Sequence, residues 1–514
     1  MKKERISGMS SHDNRYAGAL IFIFLILGAL NASRHEMWRD EIQAWLLAKD
    51  SSSPVQLLKN LKYEGHPGVW HLSLFPLSRI TPSPIAMQPF HLIIACLSVY
   101  LFLRFSPFTK VQKALFTFGY FPFYEYCVIC RNYAPGLFLL LLFCSLLPRR
   151  SGRFPLLGLI LFFLAHTSVH ALILVISICL GLSLDILLSK DRPNITVCLG
   201  FLLIVSGIIT SVVQLNPPPD SGFAVGWKTD FDPDHLKKVF NLIPRAFILI
   251  PRFTFHFWNT AILDQLPGSE VVKLSLGCLI LLYGILLFIR KPAALLIYLI
   301  GTLGLCSFFY TKYFGSMRHH GFLFISFVSS IWISNYCRDV RIFNPIGKLS
   351  LIIERSLNKV LTVILFIHLA GGVAGAVMDY MYVFSQGKAT ADFIRREGME
   401  GMLIVGDTDF TASTVVGYLE REIYYPRGDR VGSFVIWDKK RTEPLTVKEI
   451  LERAVKLSLR EKKDCLLVLN YRLSDEMISR YSLKEIARFE KAVVGDEVYY
   501  LYLRHYSSNM MRHI

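Results

Sequence analysis

Tyr16–Ser33, YAGALIFIFLILGALNAS, runs for eighteen residues without a charged side chain. As a helix it would rise about 27 Å, close to the thickness of the hydrocarbon core of a bilayer. Arg15 stands before it and Arg34 after it. A helix apolar on every face needs lipid or protein around it, so this stretch reads as membrane-spanning. Similar runs recur at 84–103, 113–130, 133–147, 154–169, 171–189, 195–215, 271–289, 293–310, 321–337 and 360–383. The pattern predicts an α-helical polytopic membrane protein of about 11 transmembrane helices. The fourth and fifth runs are short, as tilted or protein-buried segments are. Composition agrees: 18% of the residues are charged, against about a quarter in soluble chains.

Charge gives the runs an orientation. Lys2, Lys3, Arg5 and Arg15 precede the first; Arg104, Lys110 and Lys113 follow the second. Arg149, Arg150 and Arg153, then Lys190 and Arg192, then Arg290 and Lys291 mark later connections. Arg338, Arg341, Lys348, Arg355 and Lys359 mark the last. Alternate connections are therefore basic, which places them in the cytoplasm with the N-terminus. Eleven crossings then put the C-terminus outside a cytoplasmic (inner) membrane. Ala29-Leu30-Asn31 is a poor cleavage site, so the first run reads as an anchor and not a signal peptide.

Residues 1–384 form the membrane domain in this reading, with long outer loops at 34–83 and 216–270. Apolar 235–258 contains Lys237, Lys238, Arg245 and Arg252, with Pro244 and Pro251. It suits a broken helix in the interface better than a span. Residues 385–514 change character and predict an extracytoplasmic, soluble α/β domain. Gly401–Asp407, Gly432–Asp438, Asp464–Asn470 and Glu497–Arg504 read as strands; Thr390–Glu397, Val447–Arg460 and Leu483–Lys491 read as amphipathic helices.

The formal charge of +17 is uneven. Residues 385–514 hold 22 Lys and Arg against 20 Asp and Glu, a net of +2, which leaves +15 for the membrane part. That distribution follows the cytoplasmic loops and excludes a nucleic-acid partner. No Gly-rich phosphate loop supports nucleotide binding. The ten cysteines lie mostly in apolar runs and show no zinc spacing.

Chemistry concentrates in the first outer loop. Met37-Trp38-Arg39-Asp40-Glu41 begins just after the first span, and Tyr63-Glu64-Gly65-His66-Pro67-Gly68 follows. A partly shielded carboxylate there can serve as a general base. On a helix Asp40 and Glu41 point about 100° apart, so one of them faces a given substrate. The same pair also suits a helix start, where acids complement the dipole. Glu64 and His66 equally suit a turn before a helix opening at Pro67. Two stretches at outer span ends carry cations: Arg131, beside Glu125, and Lys312 with Arg318, His319 and His320. Both suit a lipid phosphate, and both suit interfacial snorkelling or loop ion pairs. His166 and His170 lie one turn apart, while His368 reads as helix packing near Gly371, Gly372 and Gly375. Asp185 and Asp379 read as span-end residues that reach the interface, and Asp407 and Asp409 as loop residues after a strand.

The Asp40-Glu41 pair after the first span, with Glu64-x-His66-Pro67 some 23 residues later, resembles the GT-C glycosyltransferases. It resembles most the bacterial branch of protein O-mannosyltransferases and the lipid A aminoarabinose transferase. That branch commonly carries His-Pro-Pro-Leu, where this chain has His66-Pro67-Gly68-Val69. The resemblance implies a GT-C-like fold and inverting transfer from a polyprenyl-phosphate sugar donor at the outer membrane face. The acceptor would be a lipid, glycan or protein. It implies Asp40 as base, with Glu41 and Glu64 holding the acceptor or assisting. His66, Arg131, Lys312, Arg318, His319 and His320 would bind substrate. A divalent cation occurs in that superfamily, but the sequence offers no ligand set and no metal residue is assigned.

Two other classes compete. A transporter or lipid flippase would place ionisable groups at mid-membrane and often show inverted repeats; here charges gather at span ends, and no repeat is visible. A non-catalytic envelope-assembly partner would use the outer domain only to bind another protein.

Overall fold

The computed structural model describes residues 11–150, 152–189, 193–222, 226–340, 345–441 and 444–506. Of the basic residues used above to orient the chain, Lys2, Lys3, Arg5, Lys190, Arg192 and Arg341 lie outside these. The chain divides into two compact units. The first comprises Met1–Ser33, Pro89–Leu215 and Val225–Met378; the second comprises Arg34–Gln88, Asn216–Ala224 and Asp379–Ile514. The first outer loop therefore belongs with the C-terminal domain.

Among the described residues seven helices are long and apolar enough to cross a membrane, the build of a multi-pass membrane protein. They are Asn14–Arg34, Pro84–Phe105, Val169–Ser189, Ile195–Leu215, Ser269–Phe288, Pro292–Thr311 and Pro345–Met381. The outer ones keep apolar side chains uncovered: Leu202, Ile209 and Val213 are exposed along Ile195–Leu215. Uncovered apolar surface of this kind suits lipid. Tyr133–Leu146 and Phe154–Ala165 are shorter, rising about 21 and 18 Å. Met317–Ser334 is buried at every residue.

The expected span at 113–130 is not one helix. Lys110–Thr117 stops, and a wide helical turn at Tyr120–Glu125 follows. Pro122, inside that turn, has no N–H to continue a helical ladder. Phe121, Tyr124 and Tyr126 are fully buried there, so aromatic packing replaces regular hydrogen bonding. The last helix begins at Pro345, fifteen residues before the expected span at 360. Within 235–258 the helices Pro233–Phe240 and Leu242–Phe247 are short and broken, as Pro244 and the charges require.

Phe154–Ala165 and Ile195–Leu215 cross backbone to backbone. A Cβ on Gly158 would meet the Gly200 carbonyl oxygen at 2.4 Å, and one on Gly207 would meet Phe162 Cα at 2.7 Å. Small residues allow such approach where lipid gives no hydrophobic drive to associate.

In the second unit a six-stranded sheet has the order β3-β2-β1-β4-β6-β5. The strands are β1 Leu403–Asp407, β2 Ile423–Tyr425, β3 Arg430–Gly432, β4 Cys465–Leu469, β5 Lys484–Phe489 and β6 Tyr499–Arg504. β2, β1 and β4 are parallel, with Leu403 opposite Cys465 and Asp407 opposite Leu469. Val405, Leu467 and Leu469 pack under Leu451, Ala454 and Leu457 of the helix Val447–Glu461. Thr446 caps that helix, exchanging bonds with Glu449.

Two expectations fail here. Leu483–Lys491 is not a helix: Lys484–Phe489 is the edge strand β5, antiparallel to β6, with an irregularity between Glu485 and Ala487. A helix this short has little stability of its own, and pairing with β6 satisfies its backbone. Gly432–Asp438 is not a buried strand. Only Arg430–Gly432 pairs in the sheet; beyond it Gln43 takes both backbone groups of Val435, and Gly222 donates to the Trp437 carbonyl. Asp407 and Asp409, expected as loop residues, instead end β1 and open the helix Asp409–Leu419.

Replacing Gly158 or Gly207 with Leu forces the crossing helices apart. The expected result is loss of folded, monodisperse protein in detergent, measured by size-exclusion chromatography and thermal unfolding. Exposed Gly18, with nothing near its Cβ position, tolerates the same change.

Candidate functional site

The first outer loop opens with the helix Arg39–Asp50. Its neighbouring acids Asp40 and Glu41 have separate fates, as their angular offset requires. Glu41 is wholly buried and accepts from the Trp38 N–H at 3.1 Å and from His35 Nε2 at 3.0 Å. His35, also buried, donates Nδ1 to Asp379 at 3.0 Å. Burial alone would discharge this ring. Asp379 and Glu41 outweigh it and hold the imidazole well above its usual range, so it is a cation at neutral pH. Asp379 does lie near the end of its span, in the last turn of Pro345–Met381, but it is buried against His35 and does not reach outward.

Asp40 lies half-buried in the first turn. Three residues on, and so on the same helix side, Gln43 donates to Glu64 Oε1 and to the Val435 carbonyl, both at 2.8 Å. Glu64 is half-buried too. The helix therefore turns one acid into the protein and keeps the other on the side that carries Glu64. His66 stacks against buried His71, with centroids 6.5 Å apart. Gly417 meets the helix from the C-terminal domain; a Cβ there would strike Ile42 Cγ2 at 2.3 Å.

Arg39 links the same turn to the domain. Its guanidinium donates to Asp496 at 2.6 Å, and its N–H donates to Glu497 at 2.7 Å. Burial drives the Glu497 carboxyl up to about 7, against the pull of Arg39 and of the Ser385 hydroxyl. Neither Arg39, Gln43, His35 nor Glu497 was singled out by the sequence. No spacing rule joins His35 to Asp379 or Gln43 to Val435 across more than 300 residues.

The cationic residues lie in the first unit. Arg131 and Arg318 are buried, and both lie within electrostatic range of His319. Tyr126 donates to the Arg318 carbonyl at 2.7 Å, and the Arg318 guanidinium lies 5.4 Å above the Trp258 ring. Trp258 donates in turn to Glu125, which also accepts from Tyr120. Tyr133 and His170 pack on the His319 ring at 5.5 and 4.9 Å. Ser316 N–H donates to His319 Nδ1, while His320 Nε2 reaches the Phe314 carbonyl. The structure thus gathers Arg131, Arg318 and His319, with His320 turned back to its own loop. Lys312 sits over Trp227 at 4.9 Å.

His166 and His170 do not form a pair: His166 contacts the Phe162 carbonyl and Thr210, while His170 faces His319. His368 stacks on Phe324 at 4.0 Å, beside Gly371 and Gly372, which press on the Leu249 and Phe118 carbonyls. Asp185 pairs with Arg150 at 2.9 Å. Among the described residues no three His, Cys, Asp or Glu side chains converge as metal ligands, and no residue is assigned to a cation.

No protein-family model matches the chain, and no curated protein matches it significantly.

His35→Ala leaves two buried carboxylates facing each other. The expected loss is about 3–5 kcal/mol, the cost of breaking a buried charge pair, read by thermal unfolding. Glu497 gives a second check. Its folded value, about 7, exceeds its ordinary 4.5, so between these values the folded state holds more protons. Stability then falls as pH rises through that window, by about 3 kcal/mol from this group. Glu497→Gln should flatten that part of the unfolding profile; an unchanged slope assigns it elsewhere.

Proposed function

We propose that the protein is an inverting glycosyltransferase of the GT-C kind, moving a sugar from a polyprenyl-phosphate donor to an acceptor at the outer face of the cytoplasmic membrane. The observation that carries this reading is the division of labour in the first turn of Arg39–Asp50. Glu41 is held in the interior by His35, while Asp40 is half-buried one turn before Gln43, which binds Glu64. A general base is helped by partial shielding of this kind.

In this mechanism the acceptor hydroxyl oxygen attacks the anomeric carbon from the face opposite the phosphate. The bond from that carbon to the phosphate oxygen breaks, its electron pair leaving with the polyprenyl phosphate. The hydroxyl proton passes to Asp40. Glu64, fixed by Gln43, holds the acceptor. Arg131 and Arg318 stabilise the departing phosphate, since a guanidinium offers two parallel donors to its oxygens. His319, His320, Lys312 and His66 take supporting positions in donor or acceptor binding.

The seven long helices are joined in this reading by Tyr133–Leu146, Phe154–Ala165, Met317–Ser334 and the interrupted passage 110–125, for about eleven crossings. The C-terminal unit then lies outside the membrane, where a lipid-linked donor presents its head.

Asp40→Asn should lower transfer by about 10²–10⁴-fold, the usual worth of a general base, with unfolding temperature unchanged. Turnover is measured with purified protein and polyprenyl-phosphate sugars. Arg318→Ala should raise the donor KM more than the acceptor KM. Unaltered turnover in Asp40→Asn would remove Asp40 as the base, and absence of transfer by the wild-type protein would leave the assembly-partner reading in its place.

A further inference from the structure

The sheet of the second unit contains a topological switch. From β1 the chain crosses through Asp409–Leu419 to β2 on one side, then returns through Val447–Glu461 to β4 on the other side of β1. The two helices cover opposite faces: Val405 packs with Leu451 and Ala454, while Gly406, the next residue, faces Ala412. The loops after β1 and β4 therefore part at the carboxyl edge of the sheet. Open α/β sheets hold their ligands at such an edge.

Asp407 ends β1 and Asp409 opens the helix that follows, so neither is the loop residue expected from the sequence. Both acids are buried. Arg427 Nε donates to Asp407 at 2.8 Å, and Arg441 grips Asp409 with two bonds of 2.7 and 2.8 Å. Thr408, after β1, donates to Asn470, after β4, at 3.2 Å. The Arg441 guanidinium lies 4.5 Å above the Trp437 ring, and Trp437 stacks on Phe410 at 5.8 Å and 26°. Both rings are only half-buried.

This edge continues into the turn that carries Asp40. Arg39 lies 5.3 Å above Phe410 and pairs with Asp496, whose carbonyl accepts from Asn470. In the other direction Trp437 is two residues from Val435, which Gln43 binds together with Glu64. The turn that carries Asp40 is thus joined through Arg39 to the aromatic pair and through Gln43 to Glu64.

The chemistry favours one class of ligand. Every cation of this edge has carboxylates beside it: Arg39 has Asp496 and Glu497, Arg427 has Asp407, Arg441 has Asp409, and Arg430 lies within range of Asp409 and Asp438. An edge so balanced has no excess charge for a phosphate or nucleotide. A sugar ring presents an apolar C–H face and a rim of hydroxyls that both donate and accept. A half-exposed Trp–Phe platform flanked by carboxylate, amide and guanidinium groups meets both features. We propose that this carboxyl edge binds carbohydrate, and, resting on the transferase reading above, that the bound sugar is the acceptor whose hydroxyl meets Asp40.

The test uses the full-length protein in lipid nanodiscs, free of sugar detergents. Methyl glycosides of neutral hexoses and N-acetylhexosamines are the probes, read by saturation-transfer difference NMR. Ring protons of at least one glycoside should give a saturable signal. Trp437→Ala should weaken its binding about tenfold or more, the worth of one stacked ring, while Trp437→Phe keeps most of it. If Trp437→Ala fails to assemble, Phe410→Leu carries the same comparison. Absence of saturable signal from every glycoside, or equal binding in the platform variants, overturns the proposal. Sugar transfer onto a peptide without glycoside binding overturns it too, and spares the transferase reading. Glycoside binding by a wild-type protein that transfers nothing sinks that reading and leaves the carbohydrate site standing.

Discussion

A cationic imidazole between two buried carboxylates fixes the second unit. His35 leaves the first membrane helix by one residue, Glu41 opens the loop helix, and Asp379 lies in the last turn of the final membrane helix. Glu41, six residues on, and Asp379, 344 residues on, meet on one ring. Burying three charges is costly, and their attraction repays it only with good geometry and further donors. The Trp38 N–H supplies one such donor to Glu41. Because the ring is flat and both its nitrogens are engaged, the loop helix has one orientation about its axis. That orientation decides which way Asp40 points. The charge chemistry of the core and the chemistry of the candidate base are therefore one constraint.

The same helix is held again at its start and its middle. Arg39 reaches Asp496 and Glu497, Gln43 reaches Val435, and Ile42 lies against Gly417. Each contact joins the outer loop to the C-terminal domain. That explains why residues 34–88 and 379–514 make one compact unit although more than 250 residues separate them in the chain. A loop anchored to a folded sheet holds its side chains far more tightly than a free loop, and positioning of this kind is what a catalytic base requires.

The long apolar helices were legible because eighteen uncharged residues have few other uses, and the parallel strands β1 and β4 because short apolar runs bounded by Gly, Asp and Asn stand out. The passage at 113–130 was misread since Pro122 is apolar and leaves hydropathy intact while removing an N–H. β5 was misread since KEIARFE fits helical spacing, and only its pairing with β6 decides otherwise. The candidate acids were legible as residue types, whereas the roles that separate Asp40 from Glu41 depend on His35 and Asp379. Hydrogen bonds across 344 residues leave no periodic trace.

Charge placement also bears on the competing readings. A transporter moves its cargo past mid-membrane groups, and its ionisable residues lie where the lipid cost is greatest. Here Asp185 pairs with Arg150 beside a basic connection, and Arg131, Arg318 and His319 gather at helix ends around Trp258 and Tyr133. His368, well inside the final helix, stacks on Phe324 in an aromatic setting. Such a layout spends its buried charge on fixing helix ends and the segments between them. In the transferase reading proposed above such a network would hold a reacting group in place, whereas a transporter would need these elements free to rock.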